Sequence, residues 1–511
     1  MPSNFEIIEK DGAGRIGRLK TPHGTVETPT VMPVINPNLR VIEPAEMRDF
    51  GAEILITNSY IIYNKPELRE KAIADGLHAL LGFDGPIMTD SGSFQLSVYG
   101  EINVENAEII AFEQQIGTDI GVPLDIPTGP DVSYEKALSE MTTTHERLKE
   151  AREIVEQTRI AAASKPESEK KRGDNMMLAG PIQGSTHIDL REKSAAYLSD
   201  LDFDVYPIGA VVPLMEAYRY RELVDVIVVA KKNLNPVAPV HLFGAGHPMM
   251  FALAVALGCD LFDSAAYALY AKGGRYITVN GTYQADRLKY LPCSCPVCST
   301  HTADSLRKAP NVEELLARHN LYVTFEEIRQ IKQAIADGKL MELVELRCHS
   351  HPQMLGALDA IFAHADWLEQ HDPAAKSTFF ECSAASANRP EVLRYEMRLD
   401  RFSFTGTALI RSYPSQKDKE YDNVLAFKPP FGAYPVELDE NYPFNAEVRD
   451  TPGPESLKKA IDHTIQLIRQ NPNAKFTFVK GRRLNQFDES YFEELKTVCT
   501  VLDRFEENKE Q

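Results

Sequence analysis

Seven cysteines in 511 residues are too few, and too unevenly placed, for a disulfide framework. Cys259, Cys348, Cys382 and Cys499 stand singly, whereas Cys293, Cys295 and Cys298 crowd together. This usage fits a reducing cytosol. Long apolar runs are missing too: none reaches the ~18 residues of a membrane span. The start, MPSNFEIIEKDGAGRIG, has neither the basic leader nor the apolar core of a secretory signal. Positive charge is scarce, with 55 Lys and Arg against 74 Asp and Glu, a net charge of −19. That balance disfavours general nucleic-acid binding, which needs cations at the phosphates, but leaves room for local basic patches. Three stand out: Lys165, Lys170, Lys171 and Arg172; Lys272 and Arg275; and Lys480, Arg482 and Arg483. The first lies in a charged loop, ESEKKRGDN, and reads as solvated surface. No G-x-G-x-x-G fingerprint follows the first strand, which counts against an open dinucleotide-binding sheet.

What is present is a recurring pattern. Apolar, strand-like runs appear at 26–35 (VETPTVMPVI), 53–62, 85–96, 120–129, 177–184, 204–212, 239–246 and 259–267. Helical patterns separate several of them, clearest in VSYEKALSEMTTTHERLKEAREIVEQTRIAAA. Eight near-continuous apolar strands alternating with helices predict a parallel sheet buried on both faces. Within ~250–300 residues that means an α/β fold closed as a (β/α)8 TIM barrel. The chain is too long for one core, so two small α+β domains are expected to follow. The organisation read from sequence is a catalytic barrel over 1–345 with a zinc-binding subdomain inserted at about 285–320, then domains at 346–430 and 431–511. In the last of these, an amphipathic helix (ESLKKAIDHTIQLIRQ), a strand (KFTFVKG) and a closing helix with an acidic tail are expected.

Polar residues fall just past the apolar runs. Asp90, Ser91 and Ser93 follow GPIMT, Asp125 follows GVPL, Gln183 follows LAGPI, Gly209 follows VYPI and Asp263 lies in CDLFD. Any one of these is most simply a turn residue or helix cap. Five strands agreeing point to a converged site at the C-terminal strand ends, where barrel enzymes gather their chemistry. The C-x-C-x2-C cluster is too tight for unstrained disulfides but suits one tetrahedral zinc. His319 in LARHNLY and His301, three residues after Cys298, compete as fourth ligand.

In order along the chain, TDSGSFQL, DIPT, GPIQG, PIGAVVPL, FDSAAY and C-x-C-x2-C…H resemble the tRNA-guanine transglycosylases, most nearly their archaeal, archaeosine-forming branch. Each motif is weak alone, but the ordered set is highly specific. It is dense over residues 1 to about 345 and continues into the small domains. The resemblance implies exchange of guanine 15 in the tRNA D-arm for 7-cyano-7-deazaguanine (preQ0), without strand cleavage or ATP. Retention at C1′ needs two inversions, hence a covalent ribosyl intermediate. Asp263 is then the nucleophile and Asp90 the general acid/base, facing each other across the ribose as in retaining glycosidases. Asp125, an acceptor-only carboxylate, suits the N1–H and exocyclic amine of the base, and Gln183 suits O6. Ser91, the backbone after Gly209 (Val211 and Val212) and a stacking Phe94 complete the base site. The resemblance selects His319 as fourth ligand, giving a closed, structural Zn2+ site.

The family's archaeal members generally end in a PUA domain, and no β-rich module of that kind is read after FEELKTVCTVLDRFEENKEQ. A separate PUA-domain RNA-binding protein is therefore a candidate partner, beside tRNA, preQ0 and a second copy of the chain in a homodimer. Two alternatives are a paralogue of the archaeosine-synthase type and a non-catalytic tRNA-binding subunit. Retention of Asp90, Asp125, Gln183 and Asp263 together argues against both.

Overall fold

The computed structural model describes residues 4–93, 104–414, 418 and 420–503. Phe94 lies outside them. The chain divides into two compact units, Met1–Ala336 with Leu346–Ala360, and Asp337–Glu345 with Ile361–Gln511.

The first unit opens with an antiparallel meander, β1 (Phe5–Asp11), β2 (Gly14–Thr21) and β3 (Gly24–Thr28). Eight parallel strands follow: β4 (Thr30–Ile35), β5 (Leu55–Asn58), β6 (Ile87–Asp90), β7 (Ile120–Gly121), β8 (Met177–Leu178), β9 (Tyr206–Ile208), β10 (Val240–Leu242) and β11 (Leu261–Ser264). β4 pairs with both β5 and β11. Parallel bridges Ala179–Val205 and Ile182–Ile208 join β8 to β9, closing the ring. This is the (β/α)8 barrel expected from sequence.

Two of the apolar runs resolve differently from their sequence reading. VETPTVMPVI is two strands in two sheets, because Pro29 has no N–H with which to continue a ladder. In EILITNSYII the strand stops at Asn58, whose side chain accepts from the Ile61 amide and starts the helix Ser59–Asn64. Inside the barrel, Met32, Ile56, Met88, Ile120, Val122, Met177, Ala179, Val205 and Leu261 form one cluster with Phe5, Leu19 and Val26 of the meander. The meander thus plugs the N-terminal end of the barrel, and only the C-terminal end is left for chemistry.

After β11 comes a short helix (Ala266–Lys272), a hairpin of β12 (Arg275–Thr278) and β13 (Gly281–Gln284), the cysteine segment, and the helix Val312–Ala336. Asn320 on that helix pins the hairpin: its Oδ1 accepts from Ile277 N at 2.9 Å, and its Nδ2 donates to the carbonyls of Tyr267 and Arg275.

The second unit carries one five-stranded sheet, in which β14 (Gly406–Arg411), β15 (Asn423–Lys428), β16 (Gly432–Pro435), β17 (Ala474–Lys480) and β18 (Thr500–Asp503) run in the order β16-β15-β14-β17-β18. The helix Pro454–Gln470 supplies Leu457, Ala460, Ile461, Ile465, Leu467 and Ile468 to its core. The expected closing helix is helical only over Glu493–Lys496. The β-branched TVLD that follows is drawn into the sheet as β18. Lys480 is buried between Glu489 (2.5 Å) and Asp503 (2.7 Å), so it belongs to the sheet edge rather than to a free basic patch. No helix among the described residues is long and apolar enough to cross a membrane.

Candidate active site

Strand register places the polar groups. β5 and β6 pair Asn58 with Asp90, and Asn58 Nδ2 donates to Asp90 Oδ2 at 3.2 Å. Asp90 Oδ1 accepts from Gly92 N at 3.3 Å. Gly92 has φ +91, and a Cβ there would press on Tyr60 at 2.6 Å, so only glycine allows this amide to fold back onto the carboxylate. Behind Asp90 lies Glu113, fully buried, whose Oε1 accepts from Ser59 Oγ and Thr89 Oγ1 at 2.8 Å each. Burial pushes the Glu113 carboxyl well above the usual range.

Ser91 and Ser93 tie β6 to β7. Ser91 Oγ donates to Pro123 O at 3.1 Å, and Ser93 Oγ accepts from the Asp125 amide at 3.1 Å. Asp125 is buried and receives a hydrogen bond from Gln183 Nε2. Gln183 is wholly buried, its amide donates to Ser194 Oγ, and its own Oε1 has no partner among the described residues. Gly209 packs against Gln183 so closely that a Cβ would overlap the amide nitrogen. Beyond it Ala210 takes φ +58, turning the chain out of β9. Val211 is buried at the start of the helix Val212–Glu216, and Val212 contacts Gly244. Arg191, also wholly buried, binds no carboxylate among the described residues. It donates to the carbonyls of Ser185 (2.8 Å), Ile182 (2.7 Å) and Gly209 (2.9 Å), locking the ends of β8 and β9 together.

Asp263 sits at the end of β11. Its Oδ1 accepts from Gly244 N at 2.6 Å and meets His241 Nε2 at 2.8 Å, which leaves Oδ2 without a protein partner among the described residues. Asp263 and Asp125 both act on Asp90: burial first, then these two negative charges, push its carboxyl from 3.8 up to about 7. Burial likewise raises Asp125, against the hydrogen bonds from Ser93 and Gln183. One barrel mouth therefore holds a proton-bearing carboxyl, a second raised carboxyl and a third with a free oxygen. That combination can move a proton and attack an electrophilic carbon in the same cavity.

The structure thus brings Asp90, Ser91, Asp125, Gln183, Gly209, Val211, Val212 and Asp263 to one end of the barrel. Sequence reasoning passed over Asn58, His241, Glu113 and Arg191. Asn58 obeys the same rule as the others, a polar residue closing an apolar run (LITN), whereas His241 lies inside its run (PVHLF), where the rule gives no signal. Glu113 and Arg191 lie in helices whose local pattern marks them as ordinary charged residues.

In the hairpin module, the sulfurs of Cys293, Cys295 and Cys298 and a ring nitrogen of His319 all lie within 4.8 Å of one another. His319 Nδ1 is 3.5 and 3.4 Å from the sulfurs of Cys295 and Cys298, while its Nε2 lies 2.9 Å from Ile277 O. That outer contact sets the tautomer and turns the bare Nδ1 inward, as metal-binding histidines require. Tyr276 stacks on the His319 ring at 3.6 Å and its hydroxyl lies 3.1 Å from Cys298 Sγ. His301 faces away, to Val297 O. The four residues form a Cys3His cluster fit to hold a metal ion.

A model of the Queuine tRNA-ribosyltransferase family matches residues 10–353, the span that builds the barrel and the cysteine module. The chain is similar to a Methanosarcina barkeri protein named tRNA-guanine(15) transglycosylase, 60% identical over 510 residues and covering 100% of both chains. A Methanosarcina mazei protein of the same name is 62% identical over 479 residues (94% of each chain). A third, from Haloferax volcanii, is 50% identical over 482 residues, covering 93% of this chain and 90% of the relative. With barrel, mouth and cysteine module all inside the matched span, the chain belongs to the tRNA-guanine transglycosylase family of glycosyltransferases.

Proposed function

We propose that the protein exchanges guanine 15 of tRNA for preQ0 by double displacement, the first step towards archaeosine. The observation that carries this reading is the mouth itself, where Asp90 is raised to about 7 between Asp125 and an Asp263 whose Oδ2 is unengaged. The relatives' name, tRNA-guanine(15) transglycosylase, supplies guanine 15 as the position.

Asp263 Oδ2 attacks C1′ of the ribose as the C1′–N9 bond breaks, and the neutral Asp90 carboxyl gives its proton to the departing guanine. A ribosyl–aspartate ester remains. When preQ0 takes the vacated place, the Asp90 carboxylate removes the N9 proton, N9 attacks C1′, and Asp263 leaves as carboxylate. Two inversions retain configuration, and Asp90 ends protonated as it began. His241 and the Gly244 amide hold Asp263 in place and stabilise it as a leaving group.

Asp125 accepts from N1–H and the exocyclic amine of either base. Gln183 Nε2 has two N–H groups, one already given to Asp125, leaving the other for O6. The backbone beyond Gly209, with Val211 and Val212, forms one wall of the base site, Ser91 braces it, and Phe94 stacks on the base.

The Cys3His donor set is that of a structural zinc. Zn2+ there would supply folding energy to the hairpin module and no step of the exchange. A homodimer, with a separately encoded PUA-type protein gripping the tRNA, completes the reading.

The test is incorporation of radiolabelled guanine into tRNA transcripts, with preQ0 as competitor. Wild-type incorporation should be blocked by preQ0. In Asp263→Ala it should fall by at least about 10⁴-fold, the scale on which losing a nucleophile is felt. A folded, metal-loaded wild type that incorporates nothing, even with added cell extract, would overturn the proposal.

A further inference from the structure

At the other end of the barrel, three residues from separate segments converge: His23 in the β2–β3 turn, His78 on the helix Leu77–Leu81, and Asp119 just before β7. Asp119 is fully buried, and its oxygens are divided between the two rings. Oδ1 lies 2.7 Å from His23 Nδ1, and Oδ2 lies 2.9 Å from His78 Nε2. One ligand atom from each of the three residues falls within 4.8 Å of the others, and the rings lie against each other with centroids 3.8 Å apart and planes tilted by 33°.

Each Asp119 oxygen also accepts a backbone N–H, from His23 at 3.0 Å and from Ile87 at 2.8 Å. These two amides fix the carboxylate whether or not the rings bind it. The outer support a metal-binding carboxylate needs is therefore already built into the fold.

We propose that His23, His78 and Asp119 form a second metal site, for a divalent transition ion of the Zn2+, Co2+ or Ni2+ class. Two imidazoles and one carboxylate are a borderline donor set that suits these ions and not Mg2+ or Ca2+. Ligand atoms on such an ion sit about 2.0–2.1 Å from it, hence about 2.9–3.3 Å from each other. The present ring-to-carboxylate spacings of 2.7 and 2.9 Å need only a slight opening, and the ligand nitrogens of the two rings lie within 4.8 Å of each other. On loading, each ring would carry its proton on the outer nitrogen, leaving Nδ1 of His23 and Nε2 of His78 as the ligand atoms. The His23 side chain is 42% exposed and that of His78 19%, so the remaining coordination positions face solvent and take water. The ion would staple the turn of the plugging meander to the barrel wall, far from the substrate mouth.

The experiment uses the full chain with its Cys3His site already loaded. Binding of Co2+ is followed by equilibrium dialysis and absorption, on wild type, His23→Gln and His78→Gln, with thermal melts in parallel. Wild type should take up one further equivalent per chain without a sulfur-to-cobalt charge-transfer band, and its melting temperature should rise. Either variant should bind the added ion more than about tenfold more weakly, since outer partners alone are worth that much, and should lose the melting shift. His23→Gln alters an exposed turn and keeps the test readable if His78→Gln does not fold. No further equivalent, a sulfur-to-cobalt band, or equal binding by a folded variant would each overturn the proposal and leave the triad a hydrogen-bonded knot.

Discussion

At the N-terminal end of the barrel, Asp260 and Asp119 are buried with every carboxylate oxygen engaged. Arg15 grips Asp260 through Nε and Nη2 at 2.8 Å each, and the Val240 amide adds a third bond. Asp119 takes two backbone amides and two imidazoles. At the C-terminal end, Asp125 is buried and Asp90 half-buried, yet neither forms an ion pair among the described residues. Asp90 has only long bonds, at 3.2 and 3.3 Å, from neutral donors. The same residue type at opposite ends of one barrel does opposite work. Where each oxygen is held by short bonds from several donors, the aspartates hold the plug in place. Where negative charge is left unmatched and crowded, a proton is held ready near neutral pH.

Exchanging Asp90 for Asn should show the contrast most strongly. Asp90→Asn should lower exchange by about 10²–10⁴-fold, the range of general acid–base catalysis. Wild-type kcat/KM should decline above pH about 7 as the Asp90 proton is lost, and that limb should vanish in the variant. Stability should move the other way. The native state keeps a proton that the unfolded chain has released, so wild-type stability falls as pH rises between about 4 and about 7. Asp90→Asn, free of that loss, should be the more stable protein above pH 7, with the gap closing towards pH 4 in denaturant titrations.

At the plugged end the outcome should invert. Asp260→Ala strands a buried Arg15 and should cost about 3–5 kcal/mol, read from the denaturant midpoint, while exchange per folded molecule is unchanged. The smallest effect concerns fine placement in the mouth. Gly209→Ala would drive a methyl into the Gln183 amide, an overpacking worth about 1–3 kcal/mol. It should raise KM for the incoming base about tenfold while kcat changes less. Equal losses in kcat and kcat/KM would mean that Gln183 acts on the chemical step rather than on base binding.

Much of this was legible in the sequence for a simple reason. A parallel barrel buries both faces of its strands, so its strands are apolar runs, and the residue that ends each run faces the mouth. That rule exposes Asp90, Asp125, Gln183 and Asp263 and extends to Asn58, but not to His241, which lies inside the run PVHLF. It cannot expose Glu113 or Arg191, because a charged residue in a helix looks the same whether it faces water or the back of the active site. Nor could it divide VETPTVMPVI between two sheets, or see that TVLD would be claimed as an edge strand by β17 rather than extend a helix.

By itself, the sequence determined the eight barrel strands, the ring they close into, the three-cysteine cluster and the carboxylates at the strand ends, since all of these depend on local pattern and spacing, whereas His319 rather than His301 as the fourth member is set by the folded geometry. Only the tertiary structure decided which aspartates are held by short bonds on every oxygen and which are left crowded together. That distinction rests on groups brought together from distant parts of the chain, Arg15 to Asp260 and His23 and His78 to Asp119 at one end, and Asp90, Asp125 and Asp263 at the other. Desolvation and Coulomb interaction act through space, and no stretch of sequence carries them.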